Sequence, residues 1–203
     1  MKEITTIVFD IGNVLAGFDW RTYLQKFGFS EETEERIAKA TFLGENWREV
    51  DRGAKTDEEI YKDCLSEIPD LEEELSLVWE GRTSIVKEYT YASEWIQSLK
   101  EKGYQVYILS NYGETTFAEA RRTFSFLQYP DGMVISYEIK HVKPEREIYE
   151  ELIKRYHIVP EQTVFIDDLT VNIEAAQKMG FQTILFTSKE EVERQLENML
   201  DMF

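Results

Sequence analysis

Four short apolar runs, at residues 4–9, 104–109, 163–166 and 182–186, constrain this chain more than any other feature. Each is rich in β-branched or aromatic residues, the pattern of a strand buried on both faces. A weaker run at 133–136 marks a fifth. Helical periodicity fills the gaps. Ala92, Trp95, Ile96 and Leu99 fall on one face, and Ile148, Leu152, Ile153 and Tyr156 nearly repeat the spacing. Ile173, Ala176 and Met179-Gly180 close another helix, with Gly180 placed to end it. Ser188-x-x-Glu191 is a capping box that opens a last one. Strands alternating with helices in this way predict an α/β fold with a parallel sheet covered on both faces.

The connection after the first strand breaks the rhythm. Roughly 75 residues separate Asp10 from the next convincing core helix, too many for a plain loop. Glu31, Glu32, Glu34 and Glu35 crowd a first turn, as the helix dipole favours, and Thr56-x-x-Glu59 is a second capping box. We read residues 17–86 as an inserted helical cap, and residues 1–16 and 87–203 as the core. A chain of 203 residues suits one domain carrying such an insert.

Polar clusters stand where the runs end: Asp10 after Phe9, Ser110-Asn111 after Leu109, and Asp167-Asp168 after Ile166. Lys143-Pro144 precedes a helix. Ligands of open parallel sheets bind beyond the carboxyl ends of the strands, so these clusters converge on one crevice. Their chemistry suits phosphoryl transfer. A carboxylate attacks phosphorus to form an acyl phosphate. Two anions must then approach, which calls for a hard cation, and Asp10 with Asp167 and Asp168 offers the oxygen ligands Mg²⁺ prefers. Ser110 and the Asn111 N–H are donors for phosphate oxygens, and Lys143 adds a point charge. Asn172, one turn after Asp168, is placed to orient a water or the lysine. Singly, each signal has a plain structural explanation as a turn or helix-start residue. The Asp-Asp pair is the hardest to dismiss, because adjacent acids repel unless a cation or solvent relieves them.

Phe9-Asp10-Ile11-Gly12-Asn13-Val14-Leu15, Leu109-Ser110-Asn111, Lys143-Pro144-Glu145 and Phe165-Ile166-Asp167-Asp168 together resemble the four motifs of the haloacid dehalogenase superfamily. The resemblance spans residues 4–186. It is closest in appearance to the small-cap branch typified by bacterial α-D-glucose-1-phosphate phosphatases. It implies a Rossmann-like core with the cap inserted after the first strand. It implies Asp10 as nucleophile, and Mg²⁺ held by Asp10, the Gly12 carbonyl and Asp168, with Asp167 beside the metal. Ser110, Asn111 and Lys143 would hold phosphate, and the substrate would be a small phosphorylated metabolite such as glucose 1-phosphate.

One position departs from the family pattern. Most phosphatases of this superfamily carry a second Asp two residues after the nucleophile, as acid and base. This chain has Gly12 there. General acid–base help is typically worth ~10²–10⁴-fold. Three outcomes stay open: a substrate whose leaving group departs easily, a substitute such as Asp19 or a metal-bound water, or a weakened relative that binds phosphate and metal as a regulatory module. Dehalogenase chemistry also lacks that acid, but a metal-free site has no use for Asp167-Asp168. A phosphomutase especially needs the missing group.

Phe18, Trp20, Tyr23, Trp47 and Trp79 lie in the cap segment and are candidate sugar-stacking residues, Trp20 foremost because it is nearest the hinge. Trp47 and Trp79 read more simply as cap core. Arg21, Arg48, Arg52 and Arg82 are candidate substrate contacts. His141 and His157 are too few for a zinc cluster, with His157 expected at the surface.

Net charge narrows the partners. Forty acids against 23 bases give −17, which repels nucleic acid and anionic membrane. A phosphate site must then carry its own local positive potential. The single Cys64 excludes an intrachain disulfide and is expected to be buried. The opening Met1-Lys2-Glu3-Ile4 has no leader-like apolar stretch, and no run approaches a membrane span. The expectation is a cytoplasmic protein, a monomer or weak homodimer.

Overall fold

The computed structural model describes residues 3–200; Met1 and Lys2 of the opening segment lie outside the described residues. In chain order the elements are β1 (Thr6–Phe9), β2 (Ala16–Phe18), α1 (Trp20–Gln25), α2 (Glu31–Ala40), α3 (Glu45–Arg52), α4 (Asp57–Glu67), α5 (Glu72–Gly81), β3 (Val86–Glu88) and α6 (Ala92–Glu101). Then follow β4 (Gln105–Ser110), α7 (Glu114–Thr123), β5 (Gly132–Ile135), α8 (Ser136–Ile139), α9 (Arg146–Tyr156), β6 (Thr163–Asp167), α10 (Thr170–Lys178), β7 (Gln182–Leu185) and α11 (Lys189–Leu200).

Five strands form a parallel sheet in the order β5-β4-β1-β6-β7. This is the Rossmann-like core with a helical insert after its first strand. Strand alternation divides each apolar run between two helical layers. Ile7 and Phe9 join Trp95, Ile108 and Phe117 on one face. Val8 joins Tyr107, Leu109, Ile148, Leu152 and Phe165 on the other. Helix α9 closes on His157 in a left-handed conformation (φ 55°), with that side chain exposed. Gly180 (φ 92°) stops the turn after α10, a backbone geometry in which glycine is free of Cβ strain.

Helices α1 to α5 build a second core of their own. Leu24, Ile37, Ile60, Leu75, Val78 and buried Cys64 meet there. Ser30 caps α2, and the Thr56–Glu59 capping box opens α4. The chain enters and leaves this unit through β2 and β3, which pair antiparallel. That ribbon has three residues a side, too short to register as periodicity in the sequence. No helix among the described residues is long and apolar enough to cross a membrane.

The insert also touches the core through the end of α3. Arg52 makes a bidentate ion pair to Glu145 (2.6 and 2.9 Å), and Arg48 reaches the same carboxylate at 3.2 Å. The Ser136 hydroxyl donates to the Asp51 carbonyl (2.5 Å), and Lys140 donates to the Gly53 carbonyl. Gly53 sits at φ 64° and ends α3 beside Tyr137. These contacts hold one helix of the insert against the loop that carries Lys143.

Candidate active site

The carboxyl ends of β1, β4 and β6 open into a cavity of about 570 Å³ between core and insert. Asp10 follows β1, where its backbone N–H bonds the Ile166 carbonyl at 2.9 Å and fixes it next to β6. The Asp10 Oδ1 accepts the Ile11 N–H at 2.7 Å and lies 2.8 Å from Lys143 Nζ. Lys143 Nζ also donates to Asp167 Oδ2 at 2.6 Å. Asp167 further accepts the Leu169 N–H and the Asn172 amide. All three charged groups are buried. One lysine between two carboxylates leaves the cluster a net negative charge.

The charges shape one another. Burial is the main cause that pushes Asp10 up to about 6, with Asp167 and Asp168 adding to it and Lys143 opposing it. Burial alone would lower the Lys143 ammonium, but the Asp10 and Asp167 carboxylates outweigh it and hold the lysine above its ordinary value. Asp168 is raised chiefly by burial, and the Asn13 amide, 2.9 Å from its Oδ2, opposes the shift.

Carboxylate oxygens of Asp10, Asp167 and Asp168 lie within 4.8 Å of one another. That hard-oxygen donor set fits Mg²⁺. Asn172 Oδ1 beside it is buried without a hydrogen-bond partner among the described residues, an acceptor suited to a water ligand of the cation. Gly12 lines the same cavity.

Asn111 serves the site by holding Lys143. Its amide donates to the Lys143 carbonyl (3.0 Å) and accepts the Lys143 N–H (2.7 Å). Two further expected contacts, Ser110 and Trp20, lie at different places. Ser110, the last residue of β4, is fully buried like Asp167, and its hydroxyl donates to the Asn111 carbonyl at 3.4 Å. Trp20 lies away from the cavity. As the first residue of α1 it stacks under Arg21 (4.3 Å) in a separate shallow pocket with Phe29, Glu31, Glu34 and Glu35. Phe18, two residues earlier on β2, reaches the cavity in its place.

The rest of the cap reading sorts in the same way. Trp47 packs on the insert's core and also lines the cavity with Phe18 and Phe42, whereas Tyr23 and Trp79 are buried. The four arginines are engaged elsewhere: Arg48 and Arg52 with Glu145, Arg82 with Asp57, Arg21 on Trp20. Asp19 caps α1 by accepting the Thr22 N–H and opens onto a different surface pocket.

Sequence reasoning missed Asp51. It lies in the last turn of α3 and lines the cavity. Burial, then repulsion from Asp10, pushes its carboxyl up to about 8, with Lys143 opposing. Asp51 follows Trp47 by four residues, so both project from one helix face. That spacing was the available signal, hidden among 40 acids.

The model of haloacid dehalogenase-like hydrolases matches residues 14–186. The chain belongs to this family. Among relatives, D-ribitol-5-phosphate phosphatase of Bacteroides thetaiotaomicron is 31% identical over 193 residues, covering 89% of this chain and 90% of that one. A sesquiterpene phosphatase of Aspergillus oryzae is 24% identical, covering 85% of each chain. Among solved structures, a family enzyme of B. thetaiotaomicron in complex with magnesium and inorganic phosphate superposes with TM-score 0.71 at 25% identity, covering 92% of this chain and 96% of that one. This haloacid dehalogenase-like protein is a hydrolase.

Proposed function

We propose that the protein is a Mg²⁺-dependent phosphatase of a small phosphorylated metabolite, working through an aspartyl phosphate on Asp10. The observation that carries this reading is the buried Asp10–Lys143–Asp167 cluster at the strand ends, open to a cavity. Asp10 is the nucleophile, and Lys143 steers it and neutralises the transferring group. Mg²⁺, when bound by Asp10, Asp167, Asp168 and the Gly12 carbonyl, supplies the positive charge that lets phosphate approach a carboxylate. Asn111 positions Lys143 through its backbone, and Ser110 at the end of β4 is a donor for a phosphate oxygen. The relatives named for phosphatase activity, and the neighbour holding magnesium and phosphate, support the same reading.

The cavity volume suits a sugar- or polyol-sized substrate. Its outer wall is Phe18, Phe42, Leu43, Trp47, Val86 and Leu169, which offers aromatic and aliphatic surface to the organic part. Residues 17–86 are the cap, and residues 1–16 and 87–203 the catalytic core. A cytoplasmic location and a monomer or weak homodimer accord with the high negative charge and the lone buried thiol.

The test is hydrolysis of p-nitrophenyl phosphate with and without Mg²⁺, with Asp10→Asn as control. Turnover that needs the metal and falls by at least ~10³-fold in Asp10→Asn is expected. Activity no greater than that of Asp10→Asn would mean a binding protein instead. A panel of glucose 1-phosphate, glucose 6-phosphate and ribitol 5-phosphate then addresses substrate. A clear preference for glucose 6-phosphate excludes the glucose-1-phosphate assignment.

A further inference from the structure

We infer that Asp51, delivered from the insert, is the acid–base residue that this chain lacks at position 12. The inference rests on the phosphatase reading above and names a group which that reading leaves unassigned.

Position 12 is empty by chemistry and not by backbone demand. Gly12 is not among the glycines at positive φ, and a Cβ built there would meet only Asp10 Oδ2, at an ordinary 3.8 Å. A side chain would fit, so the proton must come from elsewhere in the cavity. The titratable groups that line it are Asp10, Asp51, Tyr112, Lys143 and Asp168. Asp10 is the nucleophile. Lys143 is committed to two carboxylates, and Asp168 is bonded to Asn13 within the cation-binding group. The Tyr112 phenol is held above its ordinary value by burial, which makes it a poor acid.

Asp51 remains. Among the described residues no hydrogen bond or ion pair engages its carboxylate, although it is half-buried. Its backbone, by contrast, is pinned. The Ser136 hydroxyl holds its carbonyl, and the neighbouring Arg52 is clamped to Glu145, two residues from Lys143. The side chain therefore lines, from a fixed helix end, the same cavity as Asp10 and is close enough to feel its charge. The carbonyl end of a helix disfavours a negative charge, which favours the protonated acid there. An acid in that state at neutral pH is suited to protonate a leaving group.

The chemistry balances. An Asp10 oxygen forms its bond to phosphorus as the bond from phosphorus to the leaving oxygen breaks. The Asp51 O–H proton passes to that oxygen, giving the alcohol and an Asp51 carboxylate. Asp51 then takes a proton from a water whose oxygen attacks the phosphorus. The bond between phosphorus and Asp10 breaks, phosphate departs and both residues return to their starting forms. The net reaction is a phosphate monoester plus water to an alcohol plus inorganic phosphate.

The experiment separates proton donation from cap packing. kcat/KM is measured with Mg²⁺ on phenyl phosphate, whose leaving oxygen needs a proton, and on p-nitrophenyl phosphate, whose leaving group does not. Asp51→Asn is expected to lower the first by ~10²-fold or more and the second by less than about tenfold. It should also produce a burst of nitrophenol, because the water-activation step slows after the first turnover. Adding Gly12→Asp to Asp51→Asn should recover at least tenfold on phenyl phosphate, since the carboxyl is returned beside Asp10. Equal losses on the two substrates, or a loss under about tenfold on phenyl phosphate, would overturn the assignment. A fold defect in Asp51→Asn lowers both substrates and is not repaired by Gly12→Asp, which counts against it too. Wild-type protein inactive on both esters would refute the phosphatase reading itself, a distinct result.

Discussion

The floor of the cavity and its roof are built on opposite principles. On the floor, Lys143 lies 2.8 Å from Asp10 and 2.6 Å from Asp167, and Asn111 and Asn172 hold the lysine backbone and the Asp167 carboxylate. The partners come from the ends of β1, β4 and β6, the loop before α9 and the first turn of α10. On the roof, the backbone is tied down, but among the described residues no hydrogen bond or ion pair engages the Asp51 carboxyl, which lines the cavity together with Phe18, Phe42 and Trp47. A site that must stabilise charge in every turnover is rigid and paired. A site that must exchange a proton and admit different leaving groups keeps its polar group free and its walls apolar.

That contrast can be broken at three places. The largest effect is expected on the floor. Lys143→Met leaves Asp10 and Asp167 facing each other without a cation between them, so kcat/KM on p-nitrophenyl phosphate should fall ~10²–10³-fold. Excess Mg²⁺ should not restore it, because the metal's carboxylates remain while the lysine's donors are gone. Steady-state kinetics at several Mg²⁺ concentrations checks this, and full recovery at high metal would show that the floor needs only charge.

The second place is the clamp that joins roof to floor. Arg52 and a backbone N–H, that of Val142, hold the Glu145 carboxyl down at about 2, against an ordinary 4.5. A depressed carboxylate contributes stability above its unfolded pKa and loses it as pH falls toward its folded pKa. Glu145→Gln should therefore lower unfolding stability by about 1.5–3 kcal/mol at pH 7. The difference from wild type should shrink below pH 4.5 and vanish near pH 2. Urea unfolding at stepped pH measures it. A difference independent of pH would mean that the pair acts through shape and not charge.

The smallest effect belongs to the roof's apolar wall. Trp47→Ala should raise KM for a preferred substrate about tenfold, roughly the worth of one pocket contact, and leave kcat little changed. Trp20→Ala, on the far side of the insert, should leave KM as it is. A reversal of the two would restore the importance that chain position alone gave to Trp20.

Much of the floor was legible from the chain. Asp10 and Asp167-Asp168 were legible because strand ends are marked by a change from apolar to polar residues, and Lys143-Pro144 because it precedes a helix; the structure brings these residues together. The same local logic located the capping boxes at Thr56 and Ser188. It had no means of weighting Asp51 above the other acids. The β2–β3 ribbon also escaped it, since three residues a side leave no period to read.

The sequence by itself determined the parallel sheet, the insert after its first strand, the acids at the strand ends and the lysine before a helix, because each depends on patterns a few residues long. Only the tertiary structure decided what faces Asp10 across the cavity. That depends on how α3 lies on the loop around Glu145, a contact between residues 93 positions apart for Arg52 and Glu145. No local pattern encodes such a pairing, since it is chosen by shape and charge between two separately packed cores.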